Sequence, residues 1–265
     1  MTALALGPQA TRDGYRLAVY DRVDSTNTEA MRLLRKGEAG PLWIVASEQT
    51  AGRGRRGREW SSHRENLAAT LLICGRFTIA TAATLGFVAS LTVLRAAHTL
   101  APEMPLSLKW PNDVQAGGKK LAGLLLESHD RGDATAMIIG FGINIGVAPQ
   151  GPGINATSMA EWSIQVSRAA MLAQLTDIWV EIYRRWDDGN GFAQIRQDWL
   201  AHAAGIGQPV SVSEGGREER GIFRTLDGEG HLVLDLPDGR CRTVSAGEVF
   251  FGDVATASAQ AMAGL

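Results

Sequence analysis

The sequence predicts an α+β fold with a small β-barrel at its C-terminal end. Between residues 24 and 201, apolar runs of strand length alternate with longer helical patterns. From residue 209 to 252 only short alternating runs remain, separated by turn pairs such as Asp227-Gly228 and Asp238-Gly239. Several short strands at such spacing are typical of a small barrel, so we place a domain boundary at Gly205.

The helices and strands of the larger part follow from periodicity and from turn residues. A helix that ends near Gly37 follows Ser25, because Ser and Asn are preferred at helix N-termini. Further helices are predicted at 79–100, 167–186 and 191–201, and strands at 42–46, 67–74, 106–110, 114–116, 120–127 and 136–145. In the barrel we expect strands at 210–212, 221–223, 232–234 and 242–244, followed by a flexible tail over 255–265.

Composition restricts the class of protein. The chain has 265 residues, 45% of them hydrophobic, and a net charge of -2, which gives no general attraction to nucleic acid or membrane. Cys74 and Cys241 lie far apart, and the five histidines form no ligand pattern, so no structural metal is expected. The start lacks a signal peptide, and the uncharged run over 79–94 is shorter than the ~20 residues of a membrane span. We therefore expect a cytoplasmic protein.

The segment 49–60, here called the arginine loop, carries the strongest chemical signal. Its sequence is Gln49-Thr50-Ala51-Gly52-Arg53-Gly54-Arg55-Arg56-Gly57-Arg58-Glu59-Trp60. Glycine lets backbone N–H groups approach a ligand, and arginine binds carboxylate or phosphate through paired hydrogen bonds. The loop therefore predicts an anion clamp. Three alternatives stay open: a dinucleotide-binding G-x-G-x-x-G, although a strand rather than a helix follows, a basic nucleic-acid loop, and a solvated surface loop.

Three further motifs contain polar residues at strand ends. Lys109-Trp110-Pro111-Asn112-Asp113 combines an amide and a carboxylate, which suit Mg²⁺ but also a simple Asx turn. In Lys119-Lys120-Leu121-Ala122-Gly123, Lys120 enters a buried strand, where its charge needs an anion. Lys119 is expected to be exposed to solvent. The run 140–146 is a strand interrupted by glycine, which often marks the close approach of a ligand.

Together these motifs resemble one family. Ser25-Thr26-Asn27, the arginine loop and the runs 109–113, 119–123 and 140–146 occur in the order found in biotin protein ligases. The resemblance implies a mixed β-sheet backed by helices, followed by an SH3-like barrel. It divides the chain into a catalytic domain at 1–204, an SH3-like domain at 205–254 and a tail at 255–265.

The resemblance also implies an activity. Biotin protein ligases make biotinyl-5′-AMP from biotin and ATP with Mg²⁺, and then transfer biotin to one lysine of a carboxylase's carrier domain. The first motif begins at Ser25, which leaves no room for the N-terminal DNA-binding domain of repressor members. The expected partners are biotin, ATP and a biotin carboxyl carrier domain. No binding to DNA or to a membrane is expected, and a homodimer is one possible state of the protein. A lipoate or octanoate ligase of the same fold is the nearest alternative, and a nucleic-acid-binding module is the other.

Residue by residue, the resemblance assigns roles to these motifs. The catalytic residues would be Lys120, Arg53, Arg55 and Asp113, with Asp113 also the expected Mg²⁺ ligand. Biotin would contact Ser25, Thr26, Asn27, Gln49, Arg53, Gly54, Arg55, Lys120, Gly123 and Gly142. ATP would contact Arg55, Trp60, Lys109, Asn112, Lys120 and Asn144.

Overall fold

The computed structural model describes residues 3–214 and 217–251, and its larger sheet has seven strands. The order across this sheet is β1-β2-β3-β7-β6-β5-β4. Only β1 and β2 are parallel, so the predicted mixed sheet is confirmed. The strands are β1 (Arg16–Val23), β2 (Leu42–Gln49), β3 (Leu67–Gly75), β4 (Leu106–Lys109), β5 (Asp113–Ala116), β6 (Lys119–Asp130) and β7 (Thr135–Ile143).

Helices cover the two faces of this sheet unequally. They are α1 (Pro8–Arg12), α2 (Thr26–Arg35), α3 (Ile79–Ala83), α4 (Leu85–Leu100), α5 (Arg168–Trp186) and α6 (Phe192–Ala201). One face meets α4 and α5 in a large core where Trp43, Phe141 and Trp179 pack edge to face or tilted. The other face is covered only in part, by α2, through a smaller apolar cluster that includes Ala30 and Leu34.

The prediction of one helix over 79–100 is wrong in detail, because the helix is interrupted at Thr84. The Thr84 side chain accepts a hydrogen bond from Trp186 Nε1 at 2.7 Å, which fixes the break against the end of α5. The segment Ile79–Leu100 is long and apolar enough to cross a membrane, but 72% of its most apolar 18-residue stretch is buried within the protein. Such burial is the environment of a core helix in a soluble protein.

The second sheet has five antiparallel strands in the order β11-β10-β9-β8-β12. The strands are β8 (Pro209–Glu214), β9 (Arg217–Leu226), β10 (Leu232–Asp235), β11 (Cys241–Val244) and β12 (Glu248–Phe251). A small antiparallel sheet is what the prediction of an SH3-like barrel requires. Neither β12 nor β1 was expected from the sequence. The predicted tail at 255–265 and the Gly215-Gly216 turn lie outside the described residues.

The second sheet packs directly beside the first. Leu108 in β4 exchanges backbone hydrogen bonds of 2.8 Å with His202 and Ala204, so the connecting segment covers the free edge of the large sheet. Trp110 donates a hydrogen bond from Nε1 to the carbonyl of Gly230 at 3.1 Å. Lys109 at the end of β4 lies 5.8 Å and 5.5 Å from the rings of Phe250 and Phe251, which places β12 next to the turn that follows β4, where one of the predicted motifs lies.

Candidate active site

A row of small residues crosses the partly uncovered face of the large sheet. The strand register places Ala46 opposite Ala68, Ala68 opposite Gly142 and Gly142 opposite Gly123. Directly opposed residues share one face of a sheet, so these four positions form a continuous strip with almost no side-chain volume. We call this strip the small-residue shelf. The next row, which includes Ile44 and Thr70, lies under α2.

The indole ring of Trp60 lies on this shelf. A Cβ atom placed on Gly142 would be 2.3 Å from Trp60 Cε2, and one on Gly123 would be 3.0 Å from Trp60 Cζ3. Glycine at position 142 therefore allows this close contact between the ring and the strand, and glycine at position 123 leaves room for the edge of the ring. The predicted role of the two glycines as flat walls is compatible with this geometry, although the group they face here is Trp60.

A compact hydrogen-bond network surrounds Gln49 at the start of the arginine loop. Thr26 donates to Gln49 Oε1 from its backbone N–H at 2.8 Å and from its hydroxyl at 3.0 Å. These bonds fix which end of the amide faces Thr26, because a donor there requires the oxygen. The Nε2 group of Gln49 has no protein acceptor among the described residues and lies near Gly52. It remains available to donate to a ligand.

Ser25 precedes α2 at the N-cap position, but its hydroxyl makes no capping hydrogen bond. The residue is only 3% exposed. The usual reason for a serine at this position, satisfaction of the first backbone N–H groups of the helix, does not apply here. The hydroxyl is therefore free to bind a polar ligand beside Thr26.

Asn27 differs from its two neighbours because both its amide nitrogen and its amide oxygen form hydrogen bonds within the protein. Its Nδ2 donates to Glu127 Oε2 at 2.8 Å and to the Leu125 carbonyl at 3.3 Å, while Oδ1 accepts from Thr70 at 2.7 Å. A Cβ on Gly140 would lie 2.5 Å from Asn27 Oδ1, so glycine is needed there as well. The side chain of Asn27 thus holds the network in shape, and its predicted contact with biotin stays a prediction.

The four arginines of the loop point to two different regions. Arg53 reaches Glu127 of β6 at 3.2 Å, the same carboxylate that binds Asn27. Arg55 donates to Asn112 Oδ1 at 3.0 Å and to the Gly247 carbonyl at 3.3 Å. Burial lowers the pKa of Arg55, although a guanidinium stays charged at neutral pH. Arg56 and Arg58 continue towards the second sheet.

Gly54 and Gly52 have different structural roles in this loop. The N–H of Gly54 binds the carbonyl of Arg58 at 2.7 Å, and a Cβ on Gly54 would meet Arg58 only at 3.5 Å, an ordinary contact. A Cβ on Gly52 would lie 2.5 Å from the Trp60 carbonyl. The close approach that brings Trp60 back to the start of the loop therefore depends on Gly52.

Lys120 lies at the shelf's other end. Its backbone N–H donates to the Asn155 carbonyl and its carbonyl accepts from the Thr157 N–H, both at 2.9 Å. Its ammonium nitrogen is 2.7 Å from Asp113 Oδ1 and 5.5 Å from the centre of the Trp60 ring. Asp113 Oδ1 receives no hydrogen bond of good alignment, so this contact is an ion pair. Lys119 is exposed, as expected.

Asn144 is 1% exposed and is held by the same segment that supports Lys120. Its Nδ2 donates to the Thr157 carbonyl at 3.1 Å. Its Oδ1 is buried without a hydrogen-bond donor among the described residues. A buried acceptor without a partner is costly in a folded protein, so this oxygen is suited to a donor supplied from outside the chain.

Lys109 and Asn112 connect the site to the second sheet. The Lys109 ammonium lies 5.8 Å from the Phe250 ring and 5.5 Å from the Phe251 ring. Burial lowers its pKa, while the nearby carboxylates of Asp113 and Glu248 oppose that shift. Asn112 donates to the Leu124 carbonyl at 2.6 Å, and its oxygen is used by Arg55.

A resident metal ion does not fit the polar groups at this turn. Within residues 3–214 and 217–251, no group of three or more His, Cys, Asp and Glu side chains converges. The Asp113 carboxylate already lies against the Lys120 ammonium, which would repel a cation. We therefore derive no catalytic step from a metal held by the protein alone, and the Mg²⁺ role of Asp113 stays a prediction.

Sequence reasoning missed several residues that shape this site. Ala46 and Ala68 complete the shelf, but an alanine in a strand gives no signal until the register is known. Glu127 was treated only as the end of a strand, although it binds both Asn27 and Arg53. The contribution of Gly247 and Glu248 from the second sheet was also not foreseen.

Comparison with known proteins identifies relatives over most of the chain. Residues 19–144 match the model of the biotin/lipoate A/B protein ligase family, and residues 205–252 match the biotin protein ligase C-terminal domain. The chain is 40% identical over 238 residues to biotin–[acetyl-CoA-carboxylase] ligase of Paracoccus denitrificans, covering 87% of this chain and 98% of the relative. It is 33% identical to the Mycobacterium tuberculosis ligase of the same name, covering 89% of each.

The fold comparison agrees with these matches. The structure superposes on the biotin protein ligase of Aquifex aeolicus in complex with biotin and ATP with a TM-score of 0.74 and 26% identity. The alignment covers 89% of this chain and 98% of the Aquifex protein. Both sheets are therefore included in the similarity.

Proposed function

This chain belongs to the biotin protein ligase family, and on that basis we propose that it is an ATP-dependent ligase that attaches biotin to a lysine of a biotin carboxyl carrier domain. The observation that carries the proposal is the convergence of the arginine loop, Lys120 and the Gln49 network around one shelf of small residues. A flat apolar strip with polar groups at its ends suits a ligand that has a compact ring at one end and a carboxylate at the other.

The ring of biotin would bind at the Gln49 end of the shelf. A ureido ring offers N–H donors and a carbonyl acceptor, so it needs both kinds of partner. Ser25 has an uncommitted hydroxyl, and Gln49 has an uncommitted amide nitrogen. Thr26 and Asn27 support these groups through the network, which makes Asn27 a positioning residue in this proposal.

The first reaction joins two anions and therefore needs positive charge. A carboxylate oxygen of biotin attacks the α-phosphorus of ATP, the new O–P bond forms, and the bond to pyrophosphate breaks. Lys120 and Arg55 would neutralise the charge that develops on the phosphoryl oxygens, and such electrostatic stabilisation is a large part of many enzymes' rate enhancement. Mg²⁺ would enter with ATP as part of the substrate, with the phosphates providing most of its ligands.

In the second reaction, the carrier lysine attacks the acyl carbon of the adenylate as a free amine. The amide bond forms, and AMP leaves with the bridging oxygen. Asp113 lies 2.7 Å from Lys120, and we assign it the role of orienting that ammonium group. The proton lost from the carrier amine would pass to Asp113 or to water.

ATP would occupy the region between Lys120 and the second sheet. The unpartnered Oδ1 of Asn144 suits the amino group of adenine, and Trp60 offers an aromatic face. Lys109 would add positive charge to this region, and Asn112 would hold Arg55 in place. We also propose the division into domains 1–204 and 205–254, which stays a prediction together with the cytoplasmic location and the state of oligomerisation.

The nucleic-acid alternative is disfavoured by the overall charge of the chain. The net charge of -2 gives no general attraction to phosphate backbones.

One assay separates the remaining alternatives. The protein is incubated with ATP, Mg²⁺ and either biotin, lipoate or octanoate, and pyrophosphate release is measured. Release with biotin alone, followed by a mass increase on a carrier-domain lysine, is expected. Release with lipoate or octanoate and none with biotin would refute the proposal and would favour the related ligases of the same fold.

A further inference from the structure

The arginine loop is attached to the second sheet by three of its four arginines. Arg55 donates to the Gly247 carbonyl at 3.3 Å, and Arg56 donates to the Ser213 carbonyl at 3.3 Å. Arg58 donates to Glu248 Oε1 at 2.9 Å. The loop therefore extends from the large sheet to the second sheet. The three acceptors belong to β8, to β12 and to the residue just before β12.

These acceptors are adjacent because of the pairing of β8 with β12. Glu248 is directly opposite Ser213 in that antiparallel pair. Gly247 comes just before β12, and a Cβ there would lie 2.8 Å from Val212 Cγ1 and 3.5 Å from Trp110 Cζ3. Gly247 is thus closely packed between Val212 of β8 and Trp110, next to the β8–β12 pair that receives the loop.

Charge makes Glu248 the centre of this surface. Its carboxylate accepts from Arg58 and is 4.0 Å from Arg56. Burial alone would raise the pKa of Glu248, but the Arg58 hydrogen bond and the charges of Arg58, Lys109 and Arg56 lower it overall. The carboxylate is therefore ionised at neutral pH and neutralises part of a cluster of cations.

We propose that Glu248 is a positioning residue that latches the arginine loop onto the second sheet, so that this sheet controls how long the loop stays closed. The proposal rests on the proposed function only where it concerns the activated intermediate: a closed loop would retain biotinyl-AMP until the carrier arrives. Loop closure commonly excludes water from such intermediates. The latch itself is a property of the protein alone.

Trypsin provides a test that needs no substrate, because it cleaves after arginine and the loop contains four. Cleavage of a native protein requires local opening, and its rate follows the open population when reclosing is fast. Glu248→Gln keeps the side-chain shape and removes the charge, and it should raise the cleavage rate at residues 53–58 about two- to fivefold, the range for a partly exposed ion pair. Far-ultraviolet circular dichroism and thermal melting check that the variant is folded.

Glu219→Gln is the matched control. Glu219 forms an ion pair with Arg242 at 2.7 Å on the same small sheet, and its side chain is exposed to a similar degree. It has no contact with the arginine loop in the described part of the chain. The control should leave cleavage at 53–58 unchanged. Equal cleavage rates for Glu248→Gln, Glu219→Gln and the unaltered protein would overturn the latch, whatever the protein's substrate is.

A second measurement connects the latch to the intermediate. Release of preformed biotinyl-AMP into solution should be faster for Glu248→Gln, with a rise of about two- to fivefold that matches the proteolysis. Arg58→Gln should raise the release rate by the same factor. The double variant should release biotinyl-AMP no faster than either single variant, because both substitutions remove the same Arg58–Glu248 contact. Faster cleavage with unchanged release would overturn the role in retention, and independent effects of the two substitutions would overturn the pairing.

Discussion

Gly142→Ala tests whether the small-residue shelf is the surface on which the biotin ring binds. The added methyl group would lie 2.3 Å from Trp60 Cε2, 2.4 Å from Cζ2 and 2.7 Å from Nε1. Ordinary van der Waals contact begins at 3.4 Å, so the ring has to rise by about 1 Å along its whole length. The same methyl group would occupy the floor of the proposed binding site.

The backbone itself should accept this substitution. Gly142 does not have a positive φ angle, and alanine in a strand interior is less costly than glycine by roughly 0.5–1 kcal/mol. The protein should therefore fold with little change in thermal stability. A single added or missing methylene in an apolar pocket changes discrimination by about 10- to 200-fold, and we expect biotin affinity to fall within that range.

Isothermal titration calorimetry with biotin measures the effect directly. Gly86→Ala is the matched control, because a Cβ on Gly86 would meet only Leu126 at 3.8 Å, an ordinary contact. Gly123→Ala should have an intermediate effect, since its Cβ would be 2.9 Å from Lys120 Cε and 3.0 Å from Trp60 Cζ3, two side-chain atoms that can shift. A folded Gly142→Ala protein that binds biotin as tightly as the Gly86→Ala control would refute the reasoning that places the ring on this shelf.

Three other predictions concern the charges and the second sheet. Lys120→Ala should reduce adenylation by about 10²–10³-fold, as for the loss of one charge-stabilising donor, and near-normal pyrophosphate release by the folded variant would contradict it. Arg55→Gly removes no core packing, so the fold should persist while biotinyl-AMP escapes and labels bystander proteins; mass spectrometry that finds only the carrier lysine labelled, at the unaltered rate, would argue against a clamp. Cutting after Ala204 should leave biotin binding measurable but impair ATP use or transfer, because Gly247 and Glu248 contact the loop. It should also lower the melting temperature, because one apolar cluster includes residues from both sheets. Separate assays of the two half-reactions check this last prediction, and full rates in both would show that the second sheet is not needed.

Much of the fold could be predicted from the sequence because the signals are local. The strands at 67–74 and 136–145 are apolar runs between turn residues, and both occur close to the predicted bounds. By contrast, β1 was not predicted, because Arg16, Asp21 and Arg22 interrupt its apolar pattern. It is an edge strand, and these charged side chains pair with neighbouring carboxylates and with an arginine. The break at Thr84 was missed because it depends on Trp186, which is about a hundred residues away in sequence.

The candidate site shows the same contrast between local sequence signals and contacts that only the fold creates. The order of the motifs was sufficient to indicate the family, because glycines, arginines and lysines at those spacings are recognisable without any knowledge of distances. The individual roles were harder to predict, since they depend on which partner satisfies each group. Asn27 was grouped with the ligand contacts, and the structure adds its hydrogen bonds to Glu127, Leu125 and Thr70, which no local pattern predicts.

The sequence by itself determined the classes of chemistry: an arginine-rich loop for anions, a lysine entering a strand, and small residues where a flat ligand can approach. These are properties of residue type and of short spacing, so they need no coordinates. Only the tertiary structure decided which small residues form one shelf, because strand register brings Ala46, Ala68, Gly142 and Gly123 together from four strands. It also decided that the loop is held by Glu248, because a contact across 190 residues is created by the packing of two sheets and leaves no local pattern in the chain.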